Sequence, residues 1–251
     1  MGVVFKVLKR YRRLLFNLSA SENPLFLMYY RHLYKPRPGS LDEVLDNFSR
    51  NNSPVTFLQI GANDGFNGDP IHKFIKRDNW EGIMLEPQPD VYNNSLVKIH
   101  KKRPGIKTIN AALDEKDGTR PLYKLAISNE RWANGLSSFD KQQLLSKVNN
   151  KRFLKHVKRE GITLPEKEED LIVEYEIETI SPKALLSKLG NQKINLLAID
   201  TEGFDFEILK MLDLNIIDPE LILYEEENFD GNTAKECREY LEKHGYITTT
   251  I

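Results

Sequence analysis

The sequence contains a single cysteine and no long apolar run, and its charges almost cancel. Cys237 alone cannot form an internal disulfide or a cysteine-built zinc site, which favours a reducing, cytoplasmic setting. No run approaches the roughly 20 apolar residues that span a bilayer, and the amino terminus lacks the apolar core of a signal peptide. The formal net charge of −1, from 36 basic and 37 acidic side chains, gives no general reason to expect a nucleic-acid partner.

The first residues nevertheless carry charge of one sign. Between positions 3 and 16, basic and apolar residues occupy opposite sides of a predicted helix, and no acid occurs before Glu22. This pattern is typical of a helix that lies on anionic lipid. It also fits a helix packed against the domain or against a partner subunit, since basic amphipathic helices are common on soluble proteins. Peripheral membrane contact through residues 3–16 is therefore one of two interpretations.

The order of apolar runs predicts one α/β domain in residues 51–251, preceded in residues 1–50 by the basic helix and a lead-in segment. Short strands at 55–60, 82–86, 106–112, 194–200 and 221–226 alternate with helices, which indicates a doubly wound, mostly parallel sheet with helices on both faces. Residues 120–180 interrupt the alternation and are predicted as an insertion over the ligand edge, where loops carry specificity. A sixth strand is expected from residue 246, so the chain would end within it.

The first strand runs into a turn bounded by two glycines. Gly61 and Gly65 allow the backbone to turn sharply and a ligand to approach closely, and Asn63 and Asp64 add polar groups there. In an open α/β sheet, ligands bind at the carboxyl ends of the strands, near the point where the strand order reverses. Tight-turn glycines without a binding role are the alternative, and the strand before and the helix after favour binding.

A carboxylate ends the second strand. Glu86 follows Gly61 by 25 positions, and an acid in this place can accept hydrogen bonds from both hydroxyls of a ribose. The turn and the acid together indicate a cofactor that contains a nucleoside. The turn lacks the middle glycine that lets a pyrophosphate approach, which disfavours a nicotinamide dinucleotide. A capping role for Glu86 at the helix that starts near residue 90 is the plainer alternative.

Four motifs together carry a resemblance to a known family. They are FLQIGANDG at 57–65, Asp69-Pro70, WEGIMLEPQP at 80–89 and LAIDTEGFD at 197–205. With these motifs in this order, residues 55–246 resemble the FkbM-type methyltransferases. The resemblance implies a Rossmann-like class I fold and S-adenosylmethionine as cofactor. It also implies O-methylation of a hydroxyl on a sugar, glycan or polyketide-like acceptor.

The resemblance also assigns roles to individual positions. It places Gly61, Ala62 and Asn63 along the methionine part of the cofactor and Glu86 at the ribose. The stretch with Asn110, Ala111 and Asp114 would lie beside the adenine. Gln59 stands where the family motif usually has an acid, so this position offers no carboxylate to the cofactor's ammonium.

Further acids follow the fourth and fifth strands. An alcohol must lose its proton, or be held by a metal, before it attacks a methyl group. We predict Asp200, Glu202 and Glu226 as catalytic candidates, Asp200 first, and Asp200 with Glu226 or Glu227 as ligands should Mg²⁺ take part. Alternation sends at least one of the neighbouring glutamates away from the cleft. Glu202 also suits the start of the next helix, where negative charge is favourable.

Two interpretations from other classes stay open at this point. One is a catalytically silent, methyltransferase-like binding module that the basic helix recruits to a membrane or a partner. The other is an NAD-type oxidoreductase, which the missing glycine disfavours.

Overall fold

The centre of the molecule is a parallel sheet. The computed structural model describes residues 3–148, 150–190 and 192–251. Five strands pair in the order β3-β2-β1-β7-β8, all parallel. Their bounds are β1 Thr56–Ile60, β2 Glu81–Leu85, β3 Ile106–Ile109, β7 Leu196–Ile199 and β8 Leu221–Leu223. The chain moves outward from β1 to β3 and later returns to the other side of β1, so the strand order reverses between β1 and β7.

Both faces of this sheet are buried. Neighbouring residues of β1 point to opposite faces, and Phe57 and Leu58 are both inaccessible to solvent. The side of Phe57 is covered by α3 (Leu41–Asn51), α4 (His72–Asp78) and the helical stretch of α5 (Pro89–Val91), a π-helical turn (Tyr92–Leu96) and α6 (Val97–His100). The side of Leu58 is covered by α10 (Pro182–Leu189), α11 (Asp205–Met211), α12 (Leu214–Ile217) and α13 (Gly231–Lys243). The predicted α/β architecture, with a parallel sheet between two layers of helices, is confirmed.

The region predicted as an insertion forms a second, smaller sheet with its own helices. The strands β4 (Ala112–Leu113), β5 (Gly118–Leu125) and β6 (Ile172–Ile180) pair in the order β4-β6-β5, with β5 and β6 antiparallel. Between β5 and β6 lie α7 (Arg131–Asn134), α8 (Lys141–Lys147), α9 (Lys151–Glu160) and a 3₁₀ turn (Glu168–Leu171). Leu125, Leu144 and Phe153 pack together in a core separate from those of the main sheet.

The end of the amino-terminal helix and the residues just after it pack against the domain. Helix α1 (Val3–Ala20) is followed by α2 (Pro24–Met28) and a π-helical turn (Tyr29–Leu33). Beyond α1, Glu22 accepts a hydrogen bond from Lys76 (2.7 Å) and one from Arg103 (2.8 Å). Ser19 is fully buried, and its hydroxyl lies 2.9 Å from a ring nitrogen of His72. Packing against the domain, one of the two interpretations of this helix, therefore describes its carboxyl half.

The sixth strand expected from residue 246 is absent, since residues 246–251 have no regular secondary structure. The hydroxyl of Tyr246 instead donates to the carbonyl of Pro219 (2.8 Å), which holds the segment at the loop before β8, and Ile247 is almost fully exposed. Among the described helices, none is both long and apolar enough to cross a bilayer.

Candidate active site

The turn after β1 is built so closely against β7 that its first position admits only glycine. Gly61 has φ +82°, and a Cβ placed there would lie 2.0 Å from the carbonyl oxygen of Asp200. The amides of Gly61 and Ala62 both donate to the carbonyl of Leu85, at 3.0 and 2.9 Å. The turn is thereby fixed to its neighbours on both sides, at the point where the strand order reverses.

Glu86 lies at the centre of the hydrogen bonds that shape this turn. Its carboxylate accepts the amides of Asn63 (2.8 Å) and Gln88 (2.9 Å), and only 2% of the residue is accessible. Burial raises the pKa of Glu86 to about 7. Asn110 donates its side-chain amide to the carbonyl of Glu86 (2.8 Å) and to that of Pro87 (3.1 Å), which holds the end of β2 in place.

The predicted cofactor residues divide into two groups. Gly61, Asn63, Glu86 and Ala111 line a large cleft at the carboxyl edge of the sheet. The others support it from behind: Ala62 is buried, and Asp64 accepts the amides of residues 66 and 67 and so closes the turn upon itself. Gly65 packs against Leu96 and His100, Asn110 holds the end of β2, and Asp114 forms an ion pair with Arg120 (3.1 Å).

Asp200 follows β7 on the opposite side of the switch point. Its side chain faces the solvent of the cleft, although protein surrounds it closely. This partial desolvation, and then the charges of Glu225 and Glu202, raise the pKa of Asp200 to about 7. A carboxyl group that titrates near neutrality in a cleft is suited to taking up a proton.

Two further acids, Glu202 and Glu225, line the cleft beside Asp200. Glu202 lines the cleft and pairs with Lys147 of α8 (3.1 Å), which links the end of β7 to the insertion. Glu225 also lines the cleft, accepts a hydrogen bond from Asn228 (3.0 Å), and has its pKa raised by burial and by the charge of Glu202. Together with Asp200 they form an acidic floor, defined here as Asp200, Glu202 and Glu225.

Glu226, predicted as a catalytic acid, points away from the cleft. It accepts hydrogen bonds from Tyr224 (2.7 Å) and Arg238 (2.9 Å), and the bond from Arg238 lowers its pKa. The physical reason is the pair of bonds from Tyr224 and Arg238, which hold Glu226 against α13 while Glu225 turns into the cleft. Glu225 therefore replaces Glu226 as the third acid of the site.

The residues predicted to hold Mg²⁺ are not brought together. Glu226 is bonded to Arg238, and Glu227 pairs with Arg152 at the exposed rim (3.4 Å). Within residues 3–148, 150–190 and 192–251, no three histidine, cysteine or carboxylate side chains are grouped as metal ligands would be. The donor set therefore does not fit the metal site predicted from the sequence.

Sequence reasoning missed a buried acid that connects two strand ends. Asp205, fully buried at the start of α11, accepts the amide and the hydroxyl of Thr201 (3.0 and 2.7 Å) and the amide of Glu225 (3.1 Å). It thereby positions the acidic floor. Its place at the first turn of a predicted helix was the available signal, because acids there accept free backbone amides.

The cleft has a volume of about 2110 Å³ and three walls. The carboxyl edge of the main sheet forms the first, the insertion with Arg131 and Trp132 the second, and Leu8 and Arg12 of α1 the third. Pockets for a single drug-sized ligand measure roughly 300–1,000 Å³. The cleft therefore has room for a cofactor and an acceptor side by side.

The comparison with known families agrees with this geometry. Residues 59–248 match the model of the methyltransferase FkbM domain; the match begins within β1 and covers the other strands of the sheet, the insertion and the acidic floor. No curated protein and no solved structure matches the chain. Because the match includes most of the chain, with the turn after β1 and the strand-end acids, the protein belongs to the FkbM methyltransferase family.

Proposed function

We propose that this protein transfers a methyl group from S-adenosylmethionine to a hydroxyl of a sugar, glycan or polyketide-like acceptor. The observation that carries the proposal is Glu86, a buried carboxylate that faces the cleft beside the turn after β1. Next to it, Oε1 of Gln88 is buried and has no hydrogen-bond partner among the described residues. Ribose hydroxyls would donate to both groups, so the residues present fit a nucleoside.

The same turn argues against a dinucleotide. A pyrophosphate bound at such a turn accepts hydrogen bonds from free backbone amides. Here the amides of residues 61–63 already donate to Leu85 and Glu86. The oxidoreductase interpretation is therefore disfavoured by hydrogen bonding as well as by the missing glycine.

The acidic floor supports the chemical step. The cofactor, when bound, supplies an electrophilic methyl group on its sulfonium. Asp200 would accept the proton of the acceptor hydroxyl, which it can do because its pKa of about 7 keeps part of it ionised and basic at neutral pH. Glu202 and Glu225 act on Asp200 through their charge, and the cleft walls would align the acceptor.

Binding experiments separate the main alternatives. In a thermal-shift assay, S-adenosylhomocysteine should raise the melting temperature and NAD should not. Transfer of a labelled methyl group to a panel of sugars, glycans and polyketide-like alcohols then tests for turnover. Binding of S-adenosylhomocysteine without methyl transfer to any acceptor would favour the silent binding module, and stabilisation by NAD alone would contradict the proposal.

We also propose a reducing, cytoplasmic setting, in which the buried thiol of Cys237 stays free.

A further inference from the structure

In the loop from Gly61 to Gly68, nearly all backbone amides already donate hydrogen bonds to neighbouring groups of the protein. Those of residues 61–63 donate to Leu85 and Glu86. Those of residues 64–67 donate to the side chains of Asn63 and Asp64 and to the carbonyl of Ala62. In the described chain, Gly68 is the one residue of this loop whose amide has no acceptor. A carboxylate that entered here would find almost no free donor in the loop.

Arg131 supplies the missing donor from the opposite wall. Its guanidinium lies against Gly68, where a Cβ would come within 2.5 Å of Nη1, so glycine makes room for it. The side chain is exposed to the cleft, and among the described residues it has no hydrogen bond or ion pair. Lys9 and Lys147, in contrast, are paired with Glu130 and Glu202.

The charge of the cleft makes this position selective. Asp200, Glu202 and Glu225 repel an anion from the floor, so a carboxylate is favoured only where a cation compensates for it. A planar guanidinium matches a carboxylate with two parallel hydrogen bonds. Arg131 stands at the far end of the loop whose near end, Gly61 to Asn63, faces the expected path of the cofactor.

We propose that Arg131, together with the amide of Gly68, binds the carboxylate of the methionine part of S-adenosylmethionine. The inference rests on the proposed function, and it assigns a cofactor contact to the insertion in addition to the acceptor contacts expected there. It also accounts for recognition of the amino-acid end of the cofactor in a protein that has Gln59, buried, at the position of the usual acid.

The test compares two ligands that differ in the amino-acid part. S-adenosylhomocysteine carries the carboxylate, whereas 5′-methylthioadenosine keeps the nucleoside and lacks it. By calorimetry, Arg131→Gln should weaken binding of S-adenosylhomocysteine roughly 10-fold or more and leave binding of methylthioadenosine unchanged, since a charge-assisted pair is lost from one ligand only. Arg50→Gln, at an exposed arginine on α3 that lies outside the cleft, is the matched control and should change neither affinity.

Other outcomes overturn the inference. Equal loss for both ligands would mean that Arg131 supports the cleft in general, and unchanged affinity for S-adenosylhomocysteine would mean that the carboxylate binds elsewhere. If the unmodified protein binds neither ligand, the proposed function itself fails, which separates the two results.

A second inference rests on a different surface, the exposed face of α1. Val7, Tyr11 and Leu14 follow one another at intervals of four and three residues, which places them in one stripe on the helix. They are 58%, 55% and 54% exposed, although the carboxyl half of the helix is docked. The helix has five basic residues and no acid, and of these Arg10 and Arg13 have no ion pair among the described residues.

We infer that this stripe binds the surface of a bilayer that contains anionic lipid. Apolar side chains flanked by positive charge match the boundary between acyl chains and anionic headgroups. Because Leu8 and Arg12 of the same helix line the cleft, the bilayer would lie beside the cleft mouth. This is the peripheral membrane contact through residues 3–16 that was one of the two interpretations of the sequence, and it requires no segment that crosses the membrane.

Vesicle sedimentation with the full chain tests this second inference. At low salt the protein should pellet with vesicles of phosphatidylcholine and phosphatidylserine and not with phosphatidylcholine alone. The double variants Tyr11→Ser/Leu14→Ser and Arg10→Gln/Arg13→Gln should each lower the bound fraction about 10-fold or more. Ile216→Ser, at an equally exposed apolar residue of α12, should not.

The inference is overturned if the unmodified chain stays in the supernatant or if both double variants bind as it does. It is also overturned if light scattering shows a dimer that Tyr11→Ser/Leu14→Ser dissociates, because a second copy would then cover the stripe.

Discussion

Replacing Asp200 by asparagine is expected to lower turnover by a factor of about 10² or more, which is the usual contribution of a general base. Asparagine keeps the size of the side chain and cannot accept the proton of the acceptor hydroxyl. The measurement is the rate of methyl transfer at saturating cofactor, once an acceptor is known. Glu207→Gln, at an exposed acid of α11 that pairs with Lys210, is the control and should transfer methyl groups at the normal rate.

The same substitution is expected to stabilise the fold more at pH 8 than at pH 5. The folded pKa of Asp200 is raised to about 7, so the stability that its neutral form provides is present at acid pH and lost as the pH rises through that value. Asparagine stays neutral, and the melting temperature of Asp200→Asn relative to the unmodified protein should therefore increase between pH 5 and pH 8. Because Asp200 is open to solvent, screening limits the gain to about 1 kcal/mol, or roughly 2–4 °C.

Either of two results would contradict this account of Asp200. Near-normal transfer by Asp200→Asn would remove the residue from the chemical step. A melting temperature that falls equally at both pH values would show that the carboxylate supports the fold, so that the loss of turnover would have a structural cause.

Glu86→Gln is expected to weaken binding of S-adenosylhomocysteine by about 1–3 kcal/mol, or roughly 5- to 150-fold, because one acceptor of the ribose hydroxyls is lost in a buried place. Calorimetry measures the change. Methylthioadenosine should lose affinity to the same extent, since it carries the same ribose. This distinguishes Glu86→Gln from Arg131→Gln, which should affect only the ligand with the carboxylate.

Glutamine is chosen over alanine because Glu86 also accepts the amides of Asn63 and Gln88. Alanine would leave both amides unpaired and weaken the turn as well as the binding site. Asn63 and Gln88 donate to different oxygens of Glu86, so glutamine keeps the acceptor for only one of the two amides. Glu86→Gln should therefore lower the melting temperature less than Glu86→Ala does. The decrease should be smaller at pH 8 than at pH 5, because burial raises the pKa of Glu86 to about 7 and its charged form opposes folding in the unmodified protein. Unchanged affinity in a folded variant would show that Glu86 does not hold the ribose.

The sequence was sufficient to predict the frame of the site. Short apolar runs that end in glycine or in an acid gave β1, β2 and β7, and the parallel order follows from the alternation with helices. Gly61 and Glu86 could be singled out because each residue type has a physical reason to stand at a strand's carboxyl end. Such local patterns need no knowledge of the rest of the chain.

What could not be predicted depends on contacts between distant segments. β8 ends at Leu223, so the three glutamates that follow lie in irregular backbone, where alternation alone does not tell which one enters the cleft. The bond between Glu226 and Arg238 joins two elements across the surface and decides the matter. Arg131 was likewise one polar residue among many in the insertion until the fold brought it against Gly68.

The separate core of the insertion has a consequence for how such proteins diversify. Leu125, Leu144 and Phe153 stabilise the wall of the cleft that the insertion forms, whereas the wall with Glu86 and the turn after β1 is stabilised by the cores of the main sheet. Mutations that reshape one wall therefore leave the packing of the other largely intact. Substitutions in the insertion can therefore change its wall of the cleft without changing the wall that contains Glu86. The Lys147–Glu202 pair and the contact of Arg131 with Gly68 are the points at which the two walls must remain compatible.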